Sequence, residues 1–485
     1  MAARDRGHGA LGRAVVALVV VALLLGGVAA WRLDLVGRLG GGGEADTGTP
    51  AGPAAVPPPP GLELPPLTDP APVGSALTPP GRIDPALVQA AVAPYLADPV
   101  LGKHVVGAVA DLTAGRPVVR VGGGGAAMPA STTKLFTTTA ALSVLGPEAR
   151  FTTRVVAGGK GRIVLVGGGD PFLASKPLPS AYPQRADVAT LAAQTASALK
   201  AEGRTRVRLG YDDSLFSEPS FNPAWPAHYL PEHVVSRVTA LWVDEGRPSE
   251  GSGRVDDPSL YAAQTFAAAL AANGIKVVGS PAHGVASGGR ELAAVQSAPL
   301  REIVAHILEV SDNEGAEVVS HQVGVAVAHS GTFADGAATV TTTLQGLGVT
   351  APFAIHDGSG LSRENRVTPL ALVQVLRLTL DPAHPELNPI ATALPVAGFT
   401  GSLTNRFDKP FPDSRGLVRA KTGTLTNVSS LAGIAVDQDG HEMLFALLAD
   451  RIDKPDETKA QHALDAAAGA LGACHCGAGE QTASR

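Results

Sequence analysis

The chain has 485 residues, of which 45% are apolar and 17% charged, and its net charge is −6 at neutral pH. That length implies about three domains, and that apolar content excludes a wholly disordered chain. The acidic balance carries no nucleic-acid footprint, and two cysteines exclude a disulfide framework and a four-cysteine zinc site.

Arg4, Arg6 and Arg13 precede eighteen uncharged residues, Ala14 to Trp31. A basic flank before such an apolar run predicts an export segment over 1–34. It is either cut near Val28-Ala29-Ala30 or kept as a membrane anchor. Residues 35–82 read as a linker: Gly40–Gly43 open it, and twelve prolines fall between Pro50 and Pro80. Such a stretch buries no core and extends like polyproline. The working part is therefore expected outside the cytoplasm, tethered or released.

Order is expected from Ile83. The spacing predicts a helix over 86–98, kinked at Pro94, then a hairpin of strands 105–112 and 116–121. Pro129 precedes a helix over 131–145, burying Leu135, Thr139, Leu142 and Leu145. Strand 162–166 leads into the glycine-rich 167–173. Helix 186–201, strand 206–209 and helix 258–273 follow. Further helices are expected over 299–310, 314–328, 336–347 and 367–380. Strands 417–422, 429–437 and 442–450 come next, then a closing helix, 457–471. The tail 473–485 is expected to be flexible. Its Cys474-His475-Cys476 offers only three soft-metal ligands, and cysteines one residue apart are poorly placed to bridge each other.

Three short patterns carry chemistry: Ser131-Thr-Thr-Lys134, Ser311-Asp312-Asn313 and Lys421-Thr422-Gly423. A serine hydroxyl attacks only when a base takes its proton. Lys134, three residues on, leaves the same helix face as Ser131. The free N–H groups of a first helical turn favour an oxyanion beside the serine. Lysine becomes a base when burial or a nearby cation lowers its pKa, and Lys421 is the candidate cation. Ser311 would relay a proton towards a leaving amine, and Asn313 would grip a substrate amide. Lys421, Thr422 and Thr424 would meet a carboxylate, and 421–424 on an edge strand would pair with substrate backbone. Ser197-Ala-Leu-Lys200 and Ser220-Phe-Asn222 repeat two patterns in the wrong settings, a helix interior and a proline-rich loop. Asp312 and Glu317 read as helix-start capping and salt-bridging groups, and His356-Asp357 as part of a glycine-rich turn. Trp225, Tyr229 and Trp242 suit either a peptide groove or domain packing.

Longer blocks surround the triplet: SDNEGAE at 311–317, HDGSGLS at 356–362 before Arg366-Val367-Thr368-Pro369, GGDPF at 168–172, RAKTGT at 419–424 and VSSLAG at 428–433. With these blocks, residues 86–470 resemble the penicillin-binding protein 4 type D-alanyl-D-alanine carboxypeptidases/endopeptidases, the class C low-molecular-mass penicillin-binding proteins. Gly401-Ser402-Leu403 departs from the usual G-T-L. The resemblance implies an α/β (α+β) fold: a transpeptidase/β-lactamase-like domain, its antiparallel sheet flanked by helices. Ser131 and Ser311 lie 180 positions apart, which fits an insertion over 155–295 between two parts of that domain, 83–154 and 296–472.

The resemblance further implies that Ser131 is acylated by the penultimate D-alanine carbonyl, with Lys134 as base and Ser311 passing the proton. The N–H groups of Ser131 and Thr424 would form the oxyanion hole. Asn313, Lys421, Thr422, Gly423 and Thr424 would bind substrate. No metal or organic cofactor is expected. Peptidoglycan stem peptides would be the substrates and β-lactams covalent inhibitors. Two rivals are a serine β-lactamase and a non-catalytic envelope module. The first lacks its deacylating glutamate, since His384–Asn388 reads HPELN, and the second predicts damage to an intact triplet.

Overall fold

The computed structural model describes residues 81–112, 117–159 and 161–478. The expected export segment, 1–34, and all but the last two residues of the linker lie outside the described residues. Among the described residues no helix is long and apolar enough to cross a membrane.

Helix α1 (Pro85–Leu96) starts at Asp84, whose carboxylate accepts the Ala86 N–H at 2.8 Å, and it contains Pro94. Strands β1 (Val105–Asp111) and β2 (Pro117–Val121) pair antiparallel; the residues of their turn, 113–116, lie outside the described residues. A 3₁₀ turn, Ala130–Thr133, leads into α2 (Lys134–Leu145). The α-helix expected from Ser131 thus begins three residues later. The Thr132 and Thr133 hydroxyls donate to the carbonyls three residues back, both at 2.8 Å, which holds the tighter turn.

The middle of the chain forms β3 (Thr152–Ala157), β4 (Arg162–Val166), α3 (Val188–Ala201), β5 (Arg206–Asp212) and α4 (Pro258–Ala272). Short strands β6 (Lys276–Val277) and β7 (Ala282–His283) precede β8 (Glu291–Gln296). Asp187 and Asp257 cap the two helices by accepting from Thr190 N and Leu260 N. Helices α5 (Leu300–Val310), α6 (Asn313–Ala328) and α7 (Phe333–Gly346) follow, with β9 (Phe353–Ala354), β10 (Arg366–Val367), α8 (Pro369–Leu378) and α9 (Asn388–Ala393). The chain then forms β11 (Val418–Leu425), β12 (Val428–Val436), β13 (Glu442–Ala449) and α10 (Glu457–Ala473).

One sheet has five strands in the order β11-β12-β13-β1-β2, all antiparallel. Helices cover both of its faces, so its strands are apolar on both sides. In β13, Leu444, Ala446 and Leu448 enter one core while Met443, Phe445, Leu447 and Ala449 enter the other, with the period of two that a strand imposes. The first core takes residues of α2 and α5 to α8; the second takes residues of α1 and α10. This is the α+β arrangement, an antiparallel sheet flanked by helices. Residues 152–296 build a separate mixed sheet, β6-β5-β4-β3-β8 with β7 also on β5, whose core is shared with α3 and α4. A fourth cluster, around Phe216, Trp225, Tyr229 and Trp242, packs against Val318 of α6 and Leu361. Trp225, Tyr229 and Trp242 are buried there, so packing takes all three. The Trp225 and Trp242 indole N–H groups donate to Asp357 Oδ2 and to the Asp170 carbonyl.

The C-terminal expectation is corrected. Cys474 and Cys476 are joined by a disulfide, with Cα atoms 5.4 Å apart, inside the span a disulfide accepts. An extended backbone at this short separation brings the two sulfurs onto the same side. The described part of the tail is docked. Cys476 is fully buried, its N–H donates to Asp437 Oδ2 at 3.1 Å, and its carbonyl accepts the Asp84 N–H at 2.8 Å. Residues 479–485 lie outside the described residues.

Candidate active site

The three patterns, spread over almost 300 positions of sequence, meet at one end of the five-stranded sheet. Ser131 lies in the 3₁₀ turn and Lys134 at the start of α2. Lys134 is fully buried. Its Nζ lies 3.0 Å from Ser131 Oγ, 2.8 Å from Asn313 Oδ1 and 2.8 Å from the Ser359 carbonyl. Burial lowers its pKa from 10.5 to about 8, against the opposing pull of Asp312, Asp357, Glu317 and Glu314.

Ser311 ends α5 in the left-handed conformation, φ 63° and ψ 39°, which few residues other than glycine adopt. Such strain is tolerated where a side chain must be aimed. The hydroxyl of Ser311 accepts from Lys421 Nζ at 2.8 Å. Asp312 caps α6 through the Gly315 N–H at 2.6 Å, and this cap sets Asn313 on the first turn. Asp312 is raised to about 7, first by burial and then by the nearby Glu245 and Glu314 carboxylates.

Lys421 is fully buried on β11, and its pKa falls well below the ordinary lysine range through burial, then Lys134 and Arg406. β11 is the edge of its sheet. Segment 395–397 covers the outer side of residues 418–420 through the bonds Ala397 N–H to Val418 O and Ala420 N–H to Pro395 O. Thr422 Oγ1 bonds Ser402 Oγ at 2.9 Å, and Thr424 is exposed. Gly423 is the point of close approach. A β-carbon there would stand 2.1 Å from Ser430 Oγ, 2.6 Å from the Pro129 carbonyl and 3.1 Å from Ser131 N. Only glycine lets the strand lie this close to the nucleophile turn. Ser430, from the VSSLAG block, donates to the Pro129 carbonyl at 2.6 Å and ties the turn to β12.

The structure thus brings together Ser131, Lys134 and Asn313 by direct contact, places Ser311 on Lys421, and sets Gly423 against Ser131. Neither repeated pattern joins them. Ser197 and Lys200 are exposed on α3, and Asn222 donates to the His356 carbonyl. His356 is exposed, and Asp357 instead accepts from Gly360 N, Ser362 N and Asn365 Nδ2, so it builds a turn. Residue reasoning missed the Ser359 carbonyl, whose role no side-chain pattern announces. It also gave Glu317 a salt bridge. Glu317 is fully buried, and its carboxylate takes the N–H groups of Gly358 and Ser359. The facing loop offers backbone donors where a cation was expected.

The profile of the D-Ala-D-Ala carboxypeptidase 3 (S13) family matches residues 88–250 and 246–471. A carboxypeptidase of Mycobacterium tuberculosis is 34% identical over 402 residues, spanning 80% of this chain and 84% of that one. The D-alanyl-D-alanine carboxypeptidase of Actinomadura sp. (strain R39) is 29% identical over 459 residues, spanning 76% and 82%. The crystal structure of penicillin binding protein 4 from Haemophilus influenzae shares the fold with a TM-score of 0.65 at 20% identity, covering 79% of this chain and 98% of that one. The chain therefore belongs to the D-Ala-D-Ala carboxypeptidase 3 (S13) family and is a serine-type D-alanyl-D-alanine carboxypeptidase.

Proposed function

We propose that this carboxypeptidase cleaves peptidoglycan stem peptides through an acyl-enzyme on Ser131, and that β-lactams trap the same serine. The observation that carries the reading is the contact of a buried, low-pKa Lys134 with Ser131 Oγ. A neutral lysine amine has two N–H donors and one lone pair. Asn313 Oδ1 and the Ser359 carbonyl take the donors, which leaves the lone pair for the Ser131 hydroxyl proton.

In acylation, Ser131 Oγ gives its proton to Lys134 Nζ and bonds to the carbonyl carbon of the penultimate D-alanine. The oxyanion sits between the N–H groups of Ser131 and Thr424. The C–N bond then breaks, and the Lys134 proton passes through Ser311 Oγ to the departing amine, which leaves as D-alanine. Water, losing its proton to Lys134, cleaves the ester and restores Ser131. Asn313 binds the substrate amide. Lys421, Thr422 and Thr424 bind the terminal carboxylate, and the edge of β11, opened by Gly423, pairs with substrate backbone. The same steps on a cross-linked peptide give endopeptidase action. A penicillin binding protein 4 of Haemophilus influenzae has been solved with a novel β-lactam, which supports the trapping step. Peptidoglycan lies outside the cytoplasm; segment 1–34 supplies export and, where it is left uncut, a membrane anchor, and 35–82 a spacer. Residues 83–154 and 296–472 form the transpeptidase-like domain, and 155–295 are inserted into it.

Intact-mass spectrometry of the full chain with a penicillin tests the assignment. The expected result is a long-lived adduct, mapped to Ser131 and absent from Ser131→Ala. An adduct on another residue, or D-alanine release by Ser131→Ala at the wild-type rate, refutes it.

A further inference from the structure

The Glu317 carboxylate bonds to Gly358 and Ser359 and not to Ser131 or the residues assigned to substrate. It is nevertheless fully buried one helical turn beyond Asn313, at i+4 on the same face of α6. Its Oε1 accepts the Ser359 N–H at 2.7 Å, and both carboxylate oxygens lie 3.1 Å from Gly358 N. The carbonyl of that same Ser359 accepts from Lys134 Nζ at 2.8 Å, and the Gly358 carbonyl accepts from Thr137 Oγ1 of α2 at 2.7 Å. The loop has no slack. A β-carbon on Gly358 would meet the Ala316 carbonyl at 2.7 Å, and one on Gly360, at φ +91°, would meet the Ala130 carbonyl at 1.9 Å. Asp357 grips the other side of the loop through Gly360 and Ser362.

We infer that Glu317 is a positioning residue for catalysis: by holding the 358–360 loop against α6, it aims the Ser359 carbonyl at Lys134 Nζ and so directs the lysine's lone pair at Ser131. Helix α6 then serves Lys134 twice, directly through Asn313 and through the loop by way of Glu317. A buried carboxylate is a costly way to hold two N–H groups. Its position beside a catalytic amine gives it a second effect. The titratable groups facing Lys134 are Asp312, Glu314 and Glu317 from α6 and its cap, Asp357 from the loop, and Lys421 from β11. Ionised Glu317 favours the protonated lysine, and burial raises its own pKa to about 8.

The proposal rests on Lys134 being the base, and the two fail differently: if Lys134 is not the base, Lys134→Ala keeps its acylation rate. The test measures penicillin acylation and D-alanine release by the full chain from pH 6 to 10, for wild type, Glu317→Gln and Glu317→Asp, after thermal melts. Misaiming by about 1 Å costs on the order of a hundredfold, so Glu317→Gln is expected to lose about tenfold to a hundredfold in the acylation plateau with KM unchanged. The midpoint of its acid limb should move to lower pH, because the charge that holds the proton on Lys134 is gone. Glu317→Asp keeps the charge but not the reach, so its plateau should fall while its midpoint stays near wild type. If Glu317→Gln does not fold, the Glu317→Asp plateau decides. A folded Glu317→Gln with the wild-type plateau overturns the proposal. So does a loss that only follows the melting temperature and leaves the midpoint in place, since that is a purely structural role.

Discussion

The chain contains the pattern Ser-x-x-Lys twice on helices, at Ser131–Lys134 and at Ser197–Lys200, and the two places have opposite fates. On α3 both side chains are exposed, and the helix buries Leu191, Thr195 and Leu199 instead. Lys200 lies at the surface. At the start of α2, Lys134 is fully buried, in contact with Ser131 Oγ, Asn313 Oδ1 and the Ser359 carbonyl, and burial brings its pKa to about 8. The residue types and their spacing are the same. What differs is the presence of a second strand, a second helix and a loop that strip water from one lysine and point acceptors at it. A nucleophile pattern is therefore a local statement about reach, and its chemistry is a tertiary property.

The largest effect that separates the two places is loss of the nucleophile or the base. Ser131→Ala and Lys134→Ala should each lower the acylation rate by at least about 10³-fold, as removal of either member of such a pair does. Ser197→Ala and Lys200→Ala should leave it unchanged, as a fluorescent penicillin would report.

A smaller effect distinguishes close approach from a simple turn. Gly423→Ala, whose methyl would strike Ser430 Oγ and the Pro129 carbonyl, should cost more than about 2 kcal/mol and slow acylation about tenfold. Gly203→Ala, just after α3, has φ +69° but nothing within 4 Å, so about 1 kcal/mol and no kinetic change are expected. Denaturant unfolding with the acylation rate checks both.

The gentlest probe is pH. Acylation should rise with pH to a midpoint near 8, because only unprotonated Lys134 accepts the serine proton. Folding follows the same sign. The folded state sheds the Lys134 proton near pH 8 while the unfolded chain keeps it to about 10.5, so the burden is greatest below 8 and fades as pH rises. Relative to Lys134→Met, the wild type should gain up to about 3 kcal/mol between pH 7 and 10.5.

Much of the site was legible because its parts are local. Ser131 and Lys134 share a turn, Ser311 to Asn313 straddle a helix junction that Asp312 caps, and Lys421 to Thr424 sit on an edge strand. Many helices and strands follow from their apolar pattern; in the five-stranded sheet the sign is the unbroken apolar run Met443 to Ala449, as expected of a strand buried on both faces. Elements whose role is carried by backbone were not legible. The Ser359 carbonyl is one, since every residue has a carbonyl. Glu317 is another, because its donors lie over forty positions away. The Cys474–Cys476 bridge was misjudged for a related reason: sequence separation says little about the backbone that docks the tail on Asp437.

By itself the sequence determined which chemistry this protein can host, since reactive side chains at fixed spacing commit a turn, a cap and a strand edge to short-range geometry. Only the tertiary structure decided which serine and which lysine carry it. Burial, the crossing of strand and turn at Gly423, and the loop held between α6 and α2 depend on groups far apart in the chain, and these set the solvation and aim of a lysine.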